Sequence, residues 1–264
     1  MNIRDNVMRL VDAHCHLEDE RLHSRLDGVL RDARNAGVVR LLTCAVTPEQ
    51  WHVSADIARR HPEVAFALGI HPWFVKPHYR QHIEHLREAR ERGAKAIGEI
   101  GLDKKIETPG MDLQTEFFEA QLHIAIDLAL PVAIHCRGAF NELKASLKRA
   151  GTPPCGGIIH AFSGNVQLAR QFAEFGLKFS LGRSLTYKKS KKREALLEFI
   201  YPDHFLLETD SPDMPPVGTD PGTPNEPKNI LLNLRGAADL LGRDEAEIAA
   251  TTTQNALQLF DLGD

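Results

Sequence analysis

The stretch Leu10-Val-Asp-Ala-His-Cys-His16 is a largely apolar run that ends in two histidines two positions apart. Successive side chains of a β-strand point to opposite faces, so His14 and His16 would face one side and Cys15 the other. Other short apolar runs end in a single residue of the same kind, namely Glu99, His135, His160 and Asp210. This pattern predicts buried parallel strands whose carboxyl ends carry the functional groups, as in α/β barrels.

Strand-like and helix-like runs alternate along the whole chain. Strands are predicted at residues 9–15, 39–45, 64–69, 96–100, 132–135, 157–160, 178–181 and 205–208. Apolar residues three and four apart predict helices that include 26–36, 48–60, 82–92 and 111–129. Eight strands, each followed by a helix, predict a TIM (β/α)₈ barrel that forms one domain over residues 1–264, with residues 246–259 as an additional C-terminal helix.

The spacing of the candidate residues agrees with this strand count. Glu99 and His135 are 36 residues apart, and His135 and His160 are 25 apart, each about one strand–helix unit. The gap of 50 residues from His160 to Asp210 skips strand seven, and the gap from His16 to Glu99 skips strands two and three. Because strand eight neighbours strand one in a closed barrel, we expect these side chains to form one compact group.

Composition limits the class of protein. The chain has 264 residues, 42% of them hydrophobic, which is enough for one large core. It has no apolar stretch long enough to span a membrane, no signal-peptide-like run, and four cysteines without a C-x-x-C pair. We therefore expect a cytoplasmic monomer with reduced thiols. The net charge of −4 argues against bulk binding of polyanions, so any contact with nucleic acid would need a local basic patch.

The six candidate side chains predict a metal centre. Unpaired Glu99 and Asp210 at the ends of buried strands would each cost several kcal/mol. A structural network of carboxylate–histidine pairs is the alternative, but it would not explain why all six fall on one end of the barrel. Imidazole and carboxylate donors without thiolate suit Zn²⁺, Mn²⁺, Fe²⁺ or Mg²⁺. Six donors exceed the needs of one four-coordinate catalytic zinc.

We therefore expect two divalent ions bridged by Glu99. One ion would also bind His14, His16 and Asp210, and the other would also bind His135 and His160. Two such ions activate a water and stabilise the attacking and leaving oxygens. Asp210, opposite Glu99, is the expected general base, so Asp210 and Glu99 are the predicted catalytic residues.

Four further residues are predicted to bind substrate. His71 lies just past strand three and could donate to a phosphate, or be a plain loop histidine. Arg137 follows His135 by two positions and could bind a phosphate or pair with Glu99 or Asp103. Lys188 and Lys189 open a basic run, 188–193, which follows strand seven; a solvated helix face is the alternative.

Six motifs, in order, resemble the TatD family of metal-dependent deoxyribonucleases in the amidohydrolase superfamily. They are D-A-H-C-H-L (12–17), G-I-H-P (69–72), G-E-I-G-L-D (98–103), L-P-V-A-I-H-C-R (130–137), H-A-F-S-G (160–164) and E-T-D-S-P (208–212). The segments 187–193 and 210–215 resemble the YjjV-like branch. The resemblance implies a TIM barrel, two divalent metals and phosphodiester hydrolysis on DNA. It assigns the metal ligands to the same six residues, His14, His16, Glu99, His135, His160 and Asp210.

The chain departs from many relatives near the expected substrate groove. Lys104 and Lys105 replace aromatic residues after Asp103, and three tyrosines with two tryptophans leave few candidates for base stacking. We expect a DNA exonuclease. The alternative is a small-molecule amidohydrolase that cleaves a C–N bond, but many binuclear members of that superfamily bridge their metals with a carboxylated lysine where this chain has Glu99. A non-catalytic metal-dependent binding protein would not need all six ligands.

Overall fold

Eight parallel strands lie side by side in the order in which they occur along the chain. The structure, a computed structural model, describes residues 8–220 and 222–263. The strands are β1 Leu10–Cys15, β2 Val38–Cys44, β3 Val64–Leu68, β4 Ala96–Asp103, β5 Val132–Arg137, β6 Gly157–Ile159, β7 Leu177–Leu181 and β8 Phe205–Leu207. All eight predicted strands are confirmed, and β4 and β5 extend further than the apolar runs indicated.

Backbone hydrogen bonds between the segment just after β8 and the end of β1 bring the two edges of the sheet together. The Asp210 amide donates to the carbonyl of His14 at 3.0 Å, and the His16 amide donates to the carbonyl of Ser211 at 2.7 Å. The predicted TIM-barrel fold is therefore confirmed. Its closing contacts involve three of the candidate ligands themselves.

Ten α-helices are found in the described part of the chain. They are α1 Glu20–His23, α2 Leu26–Asn35, α3 Trp51–Arg60, α4 Arg80–Ile83, α5 Met111–Asp127, α6 Phe140–Ala150, α7 Val166–Ala173, α8 Lys191–Ile200, α9 Ile230–Leu241 and α10 Glu245–Phe260. In α2 the buried residues Leu26, Val29, Leu30 and Ala33 recur at the helical spacing, which explains why this face packs on the sheet. No helix among the described residues is long and apolar enough to cross a bilayer.

The helix predicted at 82–92 is wrong as one continuous α-helix. The short helix α4 passes into a 3₁₀ helix at Glu84–Glu88, and turns follow. The buried residues Ile83, Leu86 and Ala89 are spaced by three, not by 3.6. A period of three aligns side chains along a 3₁₀ helix, and this accounts for the difference.

Two apolar cores lie on the two sides of the strands. The inner one fills the barrel with mostly small residues, including Val11, Ala13, Ala67, Ala96 and Ala133. The predicted C-terminal helix, α10, adds Ala256, Leu257 and Phe260 to this inner core. The larger outer core joins the strands to the surrounding helices.

Irregular register in β1 turns its histidines inward. Val11 and Ala13 belong to the inner core, so strict alternation would place Cys15 inside and His14 and His16 outside. The β1–β2 register shifts between Asp12 and Cys15, and Cys15 instead joins the outer core. A second shift, between Ile97 and Ile100 of β4, accompanies the inward position of Glu99. Both shifts turn candidate ligands toward the barrel interior.

The backbone of β4 approaches the backbone of β5 closely at Gly101, near the site. Its φ is +151°, and a Cβ at this position would lie 2.0 Å from the His135 carbonyl oxygen. Gly101→Ala should therefore lower the free energy of unfolding by about 2–4 kcal/mol, as read from urea denaturation. Gly110→Ala is the matched control, because a Cβ at Gly110 meets nothing within 4 Å. Equal stabilities of the two variants would contradict this account of the strand contact.

Candidate metal centre

A cavity of about 750 Å³ opens at the carboxyl ends of the strands. Five of the six predicted metal ligands line this cavity: His16, Glu99, His135, His160 and Asp210. His14 lies behind them, fully buried. His71 and Arg137 also line the cavity. The barrel therefore brings side chains from β1, β4 and β5 and from the segments just after β1, β3, β6 and β8 to one place.

One group of donors surrounds the Oε2 atom of Glu99. His14 Nε2 lies 3.4 Å and His16 Nε2 lies 3.5 Å from this oxygen. The same two nitrogens lie 3.6 and 3.3 Å from Asp210 Oδ1. The Nδ1 atom of His16 is 2.7 Å from the Cys44 carbonyl, so its proton points there and the lone pair of Nε2 faces the group.

A second group surrounds the Oε1 atom of Glu99. His135 Nδ1 lies 3.2 Å and His160 Nε2 lies 2.7 Å from this oxygen. His135 Nε2 is 3.1 Å from the Asp103 carboxylate, an arrangement that leaves the lone pair on Nδ1. The two oxygens of one buried carboxylate thus serve two separate sets of histidines.

His71 also approaches this second group, but its hydrogen bonds distinguish it from a ligand. Its Nε2 lies 3.2 Å from Glu99 Oε1, and distance alone would group it with Glu99 and His135 as a metal site. Its Nδ1 accepts a hydrogen bond from the Trp73 amide at 3.1 Å. Burial lowers the pKa of His71 to about 4, so the neutral ring carries its single proton on Nε2. We therefore interpret His71 as a hydrogen-bond donor.

The donor set fits a bound cation. Within the described part of the chain, both ring nitrogens of His14 and the Nδ1 atom of His160 are buried without a hydrogen-bond partner. Most of the nitrogen–oxygen distances in both groups, from 3.2 to 3.6 Å, are long for hydrogen bonds. Two ligand atoms that each lie about 2.0–2.2 Å from one ion are separated by roughly 3–3.6 Å. The observed nitrogen–oxygen distances therefore match those expected around a bound ion.

The charges of the site also suit a divalent ion. Burial opposes ionisation of Glu99, but the adjacent His71, His160 and His14 hold its pKa well below the usual value. Burial also disfavours charge on His160, yet the neighbouring Glu99 raises its pKa to about 9. Burial lowers the pKa of His14 to about 4. A divalent cation would replace the proton of His160, so acid should weaken metal binding.

Two buried carboxylates outside the donor set hold the backbone beside the ligands. Asp210 has a φ of +55° and Ala161, next to His160, a φ of +44°. Asp12 accepts hydrogen bonds from the amide and hydroxyl of Thr209 at 2.9 and 2.5 Å. Glu208 accepts the amide of Ala161 at 2.8 Å. These bonds stabilise a backbone that non-glycine residues rarely adopt.

The other predicted substrate residues lie at different distances from the cavity. Arg137 lines the cavity with 57% of its side chain exposed, and its Nη1 is 3.8 Å from Asp103 Oδ2. Lys189 donates from Nζ to the Asp239 carbonyl at 2.6 Å. Among the described residues that line the cavity, neither Lys188 nor Lys189 is found. A role for this pair in binding substrate stays a prediction.

Sequence reasoning missed the aromatic wall of the cavity. Trp73 and Phe74, which follow His71, are both exposed and line it. The expectation of few stacking candidates rested on the number of aromatic residues. Whether an aromatic side chain can stack on a base depends instead on its exposure beside the site. The motif G-I-H-P could have indicated these aromatic residues, because the residues that follow it continue from the carboxyl end of β3.

An Arg21–Asp213 ion pair of 2.9 Å at the cavity was also missed.

An eight-stranded α/β barrel that gathers histidines and carboxylates at the carboxyl ends of its strands is typical of metal-dependent hydrolases. The family model described as "TatD related DNase" matches residues 11–261. The chain therefore belongs to the TatD family, as its motifs predicted.

Individual relatives agree with this assignment over nearly the whole chain. The Escherichia coli (strain K12) protein named "Uncharacterized metal-dependent hydrolase YjjV" is 32% identical, with 97% of this chain and 99% of the relative covered. The YcfH hydrolase of the same strain is 31% identical, with 97% of each covered. The crystal structure of YjjV superposes with a TM-score of 0.90 at 31% identity, over 97% of this chain and 99% of the other. An Entamoeba histolytica TatD-family structure, at 18% identity and TM-score 0.85, shares the fold over 97% and 99% of the two chains.

Metal binding should stabilise the fold measurably. Saturating Mn²⁺ or Zn²⁺, at about 100 times the dissociation constant, should raise Tm by roughly 5–10 °C over chelator-treated protein, because the ion binds only the folded donor set. Glu99→Gln should remove most of this shift, since it neutralises the carboxylate that both groups share. Glu226→Gln should keep it, because Glu226 is a buried glutamate that pairs with Arg25 and is not in the donor set. Identical Tm values with metal and with chelator would contradict the assignment of this centre.

Proposed function

We propose that this TatD-family hydrolase cleaves phosphodiester bonds, as a DNA exonuclease, with two divalent ions. The observation that carries the proposal is the division of the Glu99 carboxylate between two sets of donors. Oε2 faces His14 and His16, and Oε1 faces His135 and His160. A single ion would need only one of these sets.

The chain's own residues would hold the two ions as follows. His14, His16, Asp210 and Glu99 Oε2 would bind the first, and His135, His160 and Glu99 Oε1 the second. Bound ions would lower the pKa of a water and offset negative charge on the reacting phosphate. Asp103 would orient His135 through the 3.1 Å contact to its Nε2.

Asp210 is the carboxylate best suited to accept a proton. It lines the cavity and is more exposed than Glu99, whose exposure is 2%. Burial favours its neutral form, but the adjacent His16 side chain and the charges of nearby histidines hold its pKa below the usual value. Asp210 is therefore ionised near neutral pH and can remove a proton from an attacking water.

Two groups would position an anionic substrate. Arg137 presents a largely exposed guanidinium to the cavity, loosely paired with Asp103. His71 lines the same cavity with a proton on Nε2. A guanidinium that can bind two phosphate oxygens favours a phosphodiester over a neutral amide. The family description, which contains the word DNase, supports DNA as the polymer.

The general-base role predicts the effect of one isosteric substitution. Asp210→Asn should lower kcat on single-stranded DNA by at least about 10²–10⁴-fold, because an amide cannot accept the proton of the water. Much of the metal content should remain, as measured by elemental analysis. Asp213→Asn is the matched control, since Asp213 is an exposed carboxylate at the same cavity that pairs with Arg21. Turnover of Asp210→Asn within a few-fold of the unmodified protein would mean that another group acts as the general base.

Hydrolysis of cyclic amides but not of DNA, with any of Zn²⁺, Mn²⁺, Mg²⁺ or Fe²⁺, would favour the amidohydrolase alternative.

The basic run 188–193 predicts a contact with longer DNA. It contributes the first residues of α8, where cations oppose the helix dipole, and Lys188, Lys189, Lys191 and Lys192 are exposed. Replacing these four lysines by glutamine should raise KM for a long oligonucleotide and flatten its dependence on salt, with little effect on a small phosphodiester. Arg193 is retained because its Nη1 donates to the Lys188 carbonyl at 2.9 Å.

The control for this variant removes the same charge from the other end of the barrel. Arg59, Arg60, Arg92 and Lys95 precede β3 and β4, so they lie near the amino-terminal ends of the strands. Their replacement by glutamine changes the net charge equally. If both quadruple variants raise KM alike, the effect comes from overall charge and not from a DNA contact at residues 188–193.

A further inference from the structure

Two adjacent aromatic side chains are unusually exposed beside the metal centre. Trp73 is 45% and Phe74 is 38% exposed, whereas the other tryptophan, Trp51, is 5% exposed in the core. Both line the cavity that contains the metal donors. Large apolar surface left open to water inside a functional cavity indicates a binding surface for an apolar or aromatic group.

A hydrogen bond and contacts with two histidine rings hold the indole of Trp73 in place. Its Nε1 donates to Asp103 Oδ2 at 2.6 Å. Its ring stands nearly perpendicular to the rings of His71 and His135, at centroid distances of 5.1 and 5.9 Å. Because the N–H is already used, the exposed remainder of the ring is apolar and can offer only its π surface to a ligand.

A cation lies next to this ring. Arg137 Nη1 is 3.8 Å from the same Asp103 oxygen that accepts the indole N–H. An aromatic surface and a guanidinium that share one carboxylate can contact the base and the phosphate of a single nucleotide. An apolar ligand without charge would leave Arg137 unused.

We propose that Trp73 and Phe74 form a stacking platform for one nucleobase of the strand being hydrolysed. The proposal rests on the nuclease function and names its substrate more narrowly. A base inside a duplex has both faces covered by its neighbours, so this platform requires a single-stranded or frayed end. The enzyme should therefore distinguish a nucleotide that carries a base from one that does not.

Hydrolysis of two oligonucleotides tests the platform. The substrates are identical single strands, one intact and one with an abasic residue at the terminal position. The unmodified protein, loaded with Mn²⁺, should prefer the intact strand roughly tenfold in kcat/KM. Trp73→Phe should keep most of this preference, and Trp73→Leu should reduce the ratio to near one. Both variants lose the hydrogen bond to Asp103 and keep an apolar side chain, but only Trp73→Phe keeps an aromatic ring. Elemental analysis should show equal metal content.

A binding measurement separates this proposal from the nuclease function. The fluorescence of Trp73 should change with thymidine 5′-monophosphate and not with 2-deoxyribose 5-phosphate, and the change should disappear in Trp73→Phe, which retains Trp51. Base-dependent binding without hydrolysis of any DNA would support the platform and reject the exonuclease. Equal hydrolysis of intact and abasic strands would overturn the platform and leave the exonuclease standing. Equal ratios in Trp73→Leu and Trp73→Phe would also overturn it, because the surface would then bury apolar area without stacking.

Discussion

The carboxylate of Glu99 is the constraint on which the site depends. It is 2% exposed at the mouth of a barrel whose inner core consists of apolar residues, mostly alanine and leucine. An uncompensated charge there would cost several kcal/mol, so its position requires neighbouring groups that offset the charge. His14, His71, His135 and His160 each lie within 3.4 Å of one of its oxygens. These partners come from separate strand ends, and only a closed ring of strands brings them together.

The strands and the residues that follow them also hold the candidate ligands in place. The segment after β8 closes the barrel through Asp210 and also provides a carboxylate donor. Asp12 and Glu208 hold the backbone beside Asp210 and His160 in positive-φ conformations. Disturbing the closure of the barrel would therefore disturb the site directly. Such coupling explains how a strand scaffold can hold a donor set rigidly enough for chemistry.

The cavity combines two kinds of side chain. It is lined by the histidines and carboxylates of the candidate metal centre and also by Trp73, Phe74 and Arg137. Asp103 connects the two sets, because it contacts His135, Trp73 and Arg137. In the function that we propose, one buried carboxylate would thus link the orientation of a ligand to the position of the substrate.

The sequence by itself determined the eight strands and the residues at their ends, because apolar runs and strand spacing are local properties. His135 and His160 face inward by simple alternation from the inner-core residues Ala133 and Ile158. Asp210 lies beyond the end of β8 with a φ of +55°, and the direction of His14, His16 and Glu99 depends on register shifts against neighbouring strands. Three features follow from the tertiary structure alone. The proton of His71 is on Nε2, Lys189 contacts Asp239, and Trp73 is exposed at the site. Each of these depends on contacts between distant segments or on side-chain direction, which the spacing of residue types does not specify.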